Sequence, residues 1–431
     1  AVAWLVAHRG HFLSDISCDK IRELYDIKPL YSAFIGWFGE NGYSAPWECD
    51  ADALMAAMSR RCGVRAKEAE LKKLIYGGKK PVEDESCPLY QEAIIKLLAG
   101  GSIEIKKTLK WEEYKGVEGS ICLDDAEKLE AVLAELGDTN ENIVVLDADL
   151  SGSTKSGIFA KAHPERHFNM GIAESDMVAT AAGLATTGKI PFVNTFTVFL
   201  TTLGLISARA QVCYGNLNVK FGGAYCGMSD ALDGASHHAT EDIAFMRALP
   251  NMKVIAPADA AAARWATKYA VENYGPMYLR LSREVYPDLY DENMEFELGR
   301  GAIVRDGRDV TVIACGIMVH KAIEAADILA ERGISVRVVD MYSIKPIDRE
   351  LIKQCAEETG AIVCAEEHNV RGGLGSAVSE VLAYFGCGVP TEFVGIQDTF
   401  TESAPYKELL AKYGVDANGV IAGIEKVLDR K

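Results

Sequence analysis

No apolar run in this 431-residue sequence approaches the ~20 residues that a membrane-spanning helix needs, so no membrane partner is expected. Cysteines number 11, but none forms a C-x-x-C pair and no histidine tract lies near them. That scatter supports neither zinc nor an iron–sulfur cluster; it predicts buried free thiols in a reducing cytoplasm, and a cytoplasmic protein is the expectation. An excess of basic residues is lacking too. With a net charge of −17 the chain has little to neutralise phosphates along a duplex, so nucleic acid is not an expected partner, although a local basic pocket remains open. The initiator methionine is missing: Ala1 comes first, which suggests a chain that was processed or begins internally. Residues 1–7 are apolar but have no basic flank before them and do not read as a secretory signal.

What is present describes an ordinary globular protein. Hydrophobic residues make up 49% and charged residues 25%, and the length allows two or three domains with cores of their own. Residues 1–120 mix helical patterns (50–60, 66–75, 89–98) with turn-rich stretches (36–47, 76–88) and hold every tryptophan except Trp265. They show no phosphate loop, metal spacing or nucleophile motif, and a small, mainly helical region is expected.

From about residue 123 the texture changes. A helix over 124–136 leads into apolar runs at 143–146, 190–196, 217–225, 254–256 and 277–281, with helices between them, including a long one reaching residue 214 and another at 259–272. Strand and helix alternating every ~20–30 residues means parallel strands joined by crossover helices, hence a doubly wound sheet. Charged and turn-forming residues at 284–300 (Pro287, Asp288, Asp291, Glu292, Asn293) break the rhythm. A second alternation follows, with strands at 310–315, 335–339 and 361–365 and helices at 318–332, 348–358 and 375–384. The expected fold class is α/β: two doubly wound, mostly parallel-sheet domains over 121–290 and 295–431, preceded by the small helical region at 1–120.

The chemistry gathers around residues 169–187, Asn-Met-Gly-Ile-Ala-Glu-Ser-Asp-Met-Val-Ala-Thr-Ala-Ala-Gly-Leu-Ala-Thr-Thr. Glu174 leads a run too rich in Ala and Gly for a surface helix, so a buried helix begins there and its carboxyl faces an apolar pocket. Such a glutamate either favours the positive end of a helix dipole or has its pKa raised by desolvation so that it shares a proton with a ring nitrogen of a ligand. Three more clusters fall at strand ends, where open α/β sheets place ligands. They are Asp147-Ala148-Asp149-Leu150-Ser151-Gly152-Ser153, then Asn194-Thr195-Phe196-Thr197-Val198-Phe199, then Asp233-Gly234-Ala235-Ser236-His237-His238. Read singly, Phe196 and Phe199 are core residues, Asp149 a turn former and His237 a hydrogen-bonded loop histidine.

Read together, with Gly-Ile-Ala-Glu, Asp-Gly-Ala-Ser-His and the later Leu281-Ser282-Arg283, the clusters resemble the C-terminal half of transketolase and of transketolases split into two subunits, thiamine-diphosphate enzymes. The resemblance covers residues 123–431. It implies that Glu174 hydrogen-bonds the ring nitrogen of the cofactor's aminopyrimidine and drives it to the imino tautomer, which deprotonates the thiazolium carbon. It implies that Phe196 and Phe199 flank and stack on that ring, that Asp149 lies near the cofactor and Ser153 near the substrate phosphate, and that Asp233 reads a sugar hydroxyl. His237, by register rather than His238, would bond the oxygens at the reacting carbons. Arg283 would clamp a sugar phosphate, a role that suits a bidentate guanidinium; the plainer reading is a linker arginine in a surface ion pair.

Two positions depart from the family pattern. Tyr225 stands where related chains carry a histidine that aids phosphate binding, and Leu232 replaces a glutamate often placed in the network between paired subunits. Both bear on substrate choice. The Gly-Asp-Gly that holds the cofactor's divalent metal in this family occurs nowhere in the chain, and a sheet domain able to bind the diphosphate needs ~150 residues, more than 1–120 supply. The resemblance therefore implies half an active site, with Mg2+ or Ca2+ held by an N-terminal partner subunit, in a heterotetramer with two copies of each chain. Glu366-Glu367-His368-Asn369 and Gly372-Gly373-Leu374-Gly375-Ser376 resemble the transketolase C-terminal domain, which supports the assembly, and the glycines predict a tight turn into a helix. Two other readings share features of this chain: the β subunit of a 2-oxoacid dehydrogenase, and a non-catalytic regulatory subunit.

Overall fold

The computed structural model describes residues 124–284, 287–290 and 294–431, all within one compact unit. The helical region expected over 1–120 lies outside the described residues, as do Asp291, Glu292 and Asn293.

The first alternation runs α1 (Asp124–Gly137), β1 (Ile143–Asp147), α2 (Gly157–Ala162), β2 (His167–Asn169), α3 (Glu174–Thr186), β3 (Ile190–Phe196), α4 (Thr197–Thr202), β4 (Lys220–Ala224), α5 (Asp242–Ala248), β5 (Lys253–Ile255), α6 (Ala260–Glu272) and β6 (Met277–Arg280). The single long helix expected up to residue 214 is broken after α4: a helical turn at Leu205–Ser207 runs into a π-helix at Ala208–Cys213. Gly204 marks the break, where a Cβ would lie 2.5 Å from the Leu200 carbonyl oxygen, too close for any side chain. The second alternation comprises β7 (Ala302–Arg305), β8 (Val310–Ala314), α7 (Ile317–Ala330), β9 (Val336–Asp340), β10 (Ser343–Lys345), α8 (Arg349–Thr359), β11 (Ile362–Asn369), α9 (Leu374–Phe385), β12 (Thr391–Ile396), α10 (Tyr406–Lys412) and α11 (Ala417–Leu428).

Local chemistry explains most of these elements. Strands β1, β8 and β9 are Val- and Ile-rich and buried at every position, as parallel strands covered by helices on both faces require. Asp259, Asp348 and Asp416 cap α6, α8 and α11 by accepting from the backbone N–H groups of Ala262, Leu351 and Gly419. Gly372, at φ +81°, supplies the expected turn before α9. Lys220 is an exception, a charged residue buried inside β4. Its ammonium donates to the carbonyls of Asn273 (2.7 Å) and Gly275 (2.8 Å), and burial pulls its pKa down to about 7.

Two sheets result. The first has seven strands in the order β10-β5-β6-β4-β3-β1-β2, parallel except where β10 meets β5; the second has five, β12-β11-β8-β9-β7, parallel except between β7 and β9. Strand β10 belongs to the second alternation by sequence and to the first sheet by pairing, with Ser343 opposite Ile255. Register then brings the carboxyl ends of the first sheet together, since Asp147 pairs Asn194, Phe196 pairs Ala224 and Gly223 pairs Arg280. The loops leaving β1, β2, β3, β4 and β6 all emerge at that one edge. The long loop after β4 is held from the other side by the second sheet, where Met228 N–H donates to Glu367 (2.8 Å) and Asn369 N–H to the Thr240 carbonyl (2.7 Å); the Arg280 guanidinium at the end of β6 also donates to the Glu367 carbonyl (2.9 Å).

The six described cysteines are all free thiols, five of them buried, as their scatter in the sequence predicts.

Candidate active site

Glu174 is the first residue of α3, whose inner face buries Met177, Val178, Ala181, Ala182 and Ala185. The alanine-rich run lets this helix lie close against the sheet, and the glutamate goes down with it. Its side chain is only 4% exposed, and among the described residues none donates a hydrogen bond to its carboxyl. The short strand β2 leads to it at the shared sheet edge, where Met170 N–H bonds the Asp147 carbonyl (2.8 Å).

An aromatic group forms beside the ends of β3 and β4. Phe196 and Phe199 stack with ring centroids 6.1 Å apart and 28° between planes, and Tyr225 packs 4.5 Å from Phe196. His237 meets both phenylalanines edge-on, at 6.1 and 5.3 Å. The two histidines in the loop differ in kind. His238 is buried, with Nδ1 2.6 Å from the Thr401 hydroxyl and Nε2 3.1 Å from the Asp230 carbonyl, and burial lowers its pKa. His237 is half-buried, with its Nδ1 3.0 Å from the Ser236 hydroxyl.

The charged part of the site lies over Tyr225. Arg283, just beyond β6, places its guanidinium 5.0 Å above the Tyr225 ring and bonds the Asp230 carboxylate at 2.8 Å. Ser229 fixes the arginine's backbone by accepting from its N–H (3.2 Å). Burial holds the Tyr225 phenol above its usual range, against the pull of Arg283 and of a hydrogen bond with the Ser153 side chain. Tyr225 also sits at φ +61°, a left-handed conformation that costs a bulky residue energy and that the surrounding contacts must sustain. Asp233 is exposed on the same loop. Burial first, then the charge of Asp233, pushes the Asp230 carboxyl up to about 7.

Asp149 is exposed and left-handed (φ 63°), exchanging hydrogen bonds with Asn169: its N–H donates to Oδ1 (3.2 Å) and its carboxylate accepts from Nδ2 (3.0 Å). The turn itself is organised by Asp147, which accepts from Leu150 N–H (2.5 Å) and from the hydroxyls of Thr154 (2.6 Å) and Ser156 (2.9 Å). Asp147 stood in the quoted cluster without a role of its own; its position at the last buried residue of an apolar strand was the available signal. Asp230 was missed altogether. Only its place three residues before Asp233, in Ser-Asp-Ala-Leu-Asp, pointed to it.

The structure thus gathers Phe196, Phe199, Tyr225 and His237 into one group, and joins Ser153, Asp230 and Arg283 to it through Tyr225. Glu174 and Asp149 share the sheet edge. Leu232, on the same loop, is 48% exposed. A separate cavity of about 820 Å³ is lined by Trp265, Tyr269, Tyr290 and Phe296 with Arg264 and Lys268; none of its residues belongs to the group above.

Residues 124–288 match the family described as the pyrimidine-binding domain of transketolase, and residues 299–420 match the transketolase C-terminal domain. A protein of Methanocaldococcus jannaschii named as a transketolase C-terminal section is 44% identical over 301 residues, 69% of this chain and 94% of that protein. The 6-deoxy-6-sulfo-D-fructose transketolase subunit of a Clostridium species is 39% identical over 300 residues, 70% of this chain and 93% of its own length. A solved structure titled a split gene transketolase, inactive beta4 tetramer, superposes with a TM-score of 0.65 at 50% identity, covering 71% of this chain and 98% of that one. Both matched domains, in this order, place the chain in the transketolase family, among relatives named as its C-terminal section.

Proposed function

We propose that the chain is one subunit of a thiamine-diphosphate-dependent transketolase that transfers a two-carbon ketol unit from a ketose phosphate to an aldose phosphate. It acts only with an N-terminal subunit that carries the diphosphate-binding domain and its Mg2+ or Ca2+, in a heterotetramer with two copies of each chain. The observation that carries this reading is a sheltered carboxyl, Glu174, at the start of a helix on the same sheet edge as a phenylalanine pair and a histidine.

These residues fit an aminopyrimidine: an acid that receives no hydrogen bond from the described residues, at the same sheet edge as stacked phenyl rings with an imidazole at their edge. When bound, the cofactor supplies the carbanion and the electron sink. Glu174 would meet the ring nitrogen with its carboxyl, at a position sheltered from bulk water. Phe196 and Phe199 orient the ring, since stacking adds ~1 kcal/mol beyond burial. Asp149 steadies the loop near the cofactor. His237 bonds the oxygens at the reacting carbons, Asp233 reads a sugar hydroxyl, and Ser153 and Arg283 meet the phosphate-bearing end.

The relatives support a subunit of this kind. The beta4 tetramer is titled inactive, and the Clostridium protein is named as a subunit acting on a sugar derivative. Ile172, just before α3, and Leu203 and Ile206, just after α4, stand exposed, large apolar side chains of the sort a partner covers. The test is reconstitution with the partner subunit, thiamine diphosphate and Mg2+. Ketol transfer from a ketose donor to an aldose acceptor is expected, with none from the isolated chain. Pyruvate decarboxylation in its place, assembly without turnover, or full turnover by this chain alone would overturn the reading.

A further inference from the structure

Arg283 is the cation that meets the substrate's tail in the reading above, and its charge is already engaged. Its guanidinium bonds Asp230 at 2.8 Å, with the acid's side chain 1% exposed and the arginine's 27%. The carboxylate therefore compensates the arginine from the buried side, while the arginine's outer side faces the site. The Tyr225 ring occupies one face of the guanidinium. The second Asp230 oxygen has no donor among the described residues, so nothing else disperses its negative charge. Asp233 adds a second carboxylate close enough to raise the Asp230 pKa, and Glu284 a third, whose pKa burial raises against the pull of Arg283 and Lys407. The pair is built in place: His238 reaches the Asp230 backbone, and Ser229 holds that of Arg283.

We infer that Asp230 is a specificity-determining residue of this site, which, by pairing with Arg283, lowers the preference for sugars ending in phosphate and opens the site to sugars ending in a hydroxyl. The inference rests on the ketol-transfer reading and modifies its substrate class, to which sugars without a terminal phosphate are added. Above about pH 7, where Asp230 carries its charge, a phosphate dianion approaching Arg283 meets a guanidinium offset by a carboxylate shielded from water, with Asp233 nearby repelling it. A hydroxyl tail meets no such repulsion, and it finds acceptors in Asp233 and in the hydroxyls of Ser153 and Tyr225.

The test uses the reconstituted complex with one ketose donor and two acceptors, an aldose phosphate and the same aldose without phosphate. Asp230→Asn keeps an oxygen for the Arg283 N–H but removes the charge. It is expected to raise the ratio of kcat/KM for the phosphorylated over the unphosphorylated acceptor about tenfold, through the KM of the former rather than through kcat. Asp230→Glu, which retains the charge, should leave the ratio near that of the wild type. Equal losses on both acceptors would show a structural role and overturn the inference, as would an unchanged ratio. A second readout needs no turnover: inorganic phosphate, titrated into the full chain in a calorimeter, should bind Asp230→Asn about tenfold more tightly than the wild type. Equal binding overturns the inference. If the wild-type complex transfers ketol units to neither acceptor, the ketol reading fails, and calorimetry still decides the role of Asp230.

Discussion

Glu367 joins the second sheet to the long loop after β4 that carries Asp230, Asp233 and His237. It is 1% exposed, and its carboxylate accepts from Met228 N–H at 2.8 Å. Burial drives its pKa from an ordinary 4.5 up to about 7; Arg280, the Met228 N–H and the Tyr406 hydroxyl all pull the other way without cancelling that effect. A carboxyl raised in this way is held in its neutral form by the fold, so the protein takes up a proton on folding. The stability this contributes is fully present below about 4.5 and is lost as the pH rises through about 7. A difference of that size corresponds to on the order of 3 kcal/mol across the window. Glu367→Gln removes the titration while keeping an acceptor for Met228 and offering N–H groups toward the Tyr406 oxygen. Urea unfolding of the full chain at pH 5 and pH 8 measures the effect. The variant should match the wild type at pH 5 and exceed it at pH 8 by about 1–3 kcal/mol. The same difference at both pH values would refute the reasoning, because the carboxyl would then not be titrating between them.

Two further outcomes can be checked directly. Arg280 and Asp242 form a buried pair at 2.7 Å, with Tyr278 also donating to Asp242 at 2.7 Å, so Arg280→Ala strands a carboxylate and should cost ~3–5 kcal/mol in denaturant unfolding, whereas a cost under ~1 kcal/mol would mean that water or a neighbour replaces the arginine. Because Asp230 titrates near 7 and its protonation releases Arg283, sulfate, a dianion throughout this range, should bind the full chain more tightly as the pH falls from about 8 to 6. In Asp230→Asn that pH dependence should disappear; equal pH slopes in the two proteins would contradict the assignment.

The parts of the fold that could be read in the sequence are those whose signal is local. Strands such as Ile143–Asp147 and Val310–Ala314 announce themselves because burial on both faces demands an unbroken apolar run. Capping aspartates mark helix starts equally well. The three-residue strands β2 and β10 carry no periodicity, and nothing in Ser343–Lys345 shows that it crosses to the other sheet, since that pairing depends on Ile255, far away in the chain. The helix expected to run to residue 214 holds no proline, and its break at Gly204 depends on the approach of the Leu200 carbonyl, which no local pattern shows. In the site, Glu174, Phe196, Phe199, His237 and Arg283 were legible because each lies in a short motif of fixed spacing. Asp230 and the buried contacts of Glu367 were not: their partners are 53 and 139 residues distant, and an acid carries no local signature of burial, whether in a loop like Asp230 or at the end of a strand like Glu367. Tyr225 was read as a departure from a pattern. Its role as the ring beneath Arg283 and beside Phe196 emerges only in three dimensions.

Proton handling by Glu174 within a site completed by another chain is the centre of this account. The most direct measurement is hydrogen–deuterium exchange at the thiazolium carbon of thiamine diphosphate in the complex reconstituted with the partner subunit, comparing the wild type with Glu174→Gln. The account predicts that the variant retains the cofactor while exchange slows at least ~100-fold. Undiminished exchange with the glutamine in place would contradict it.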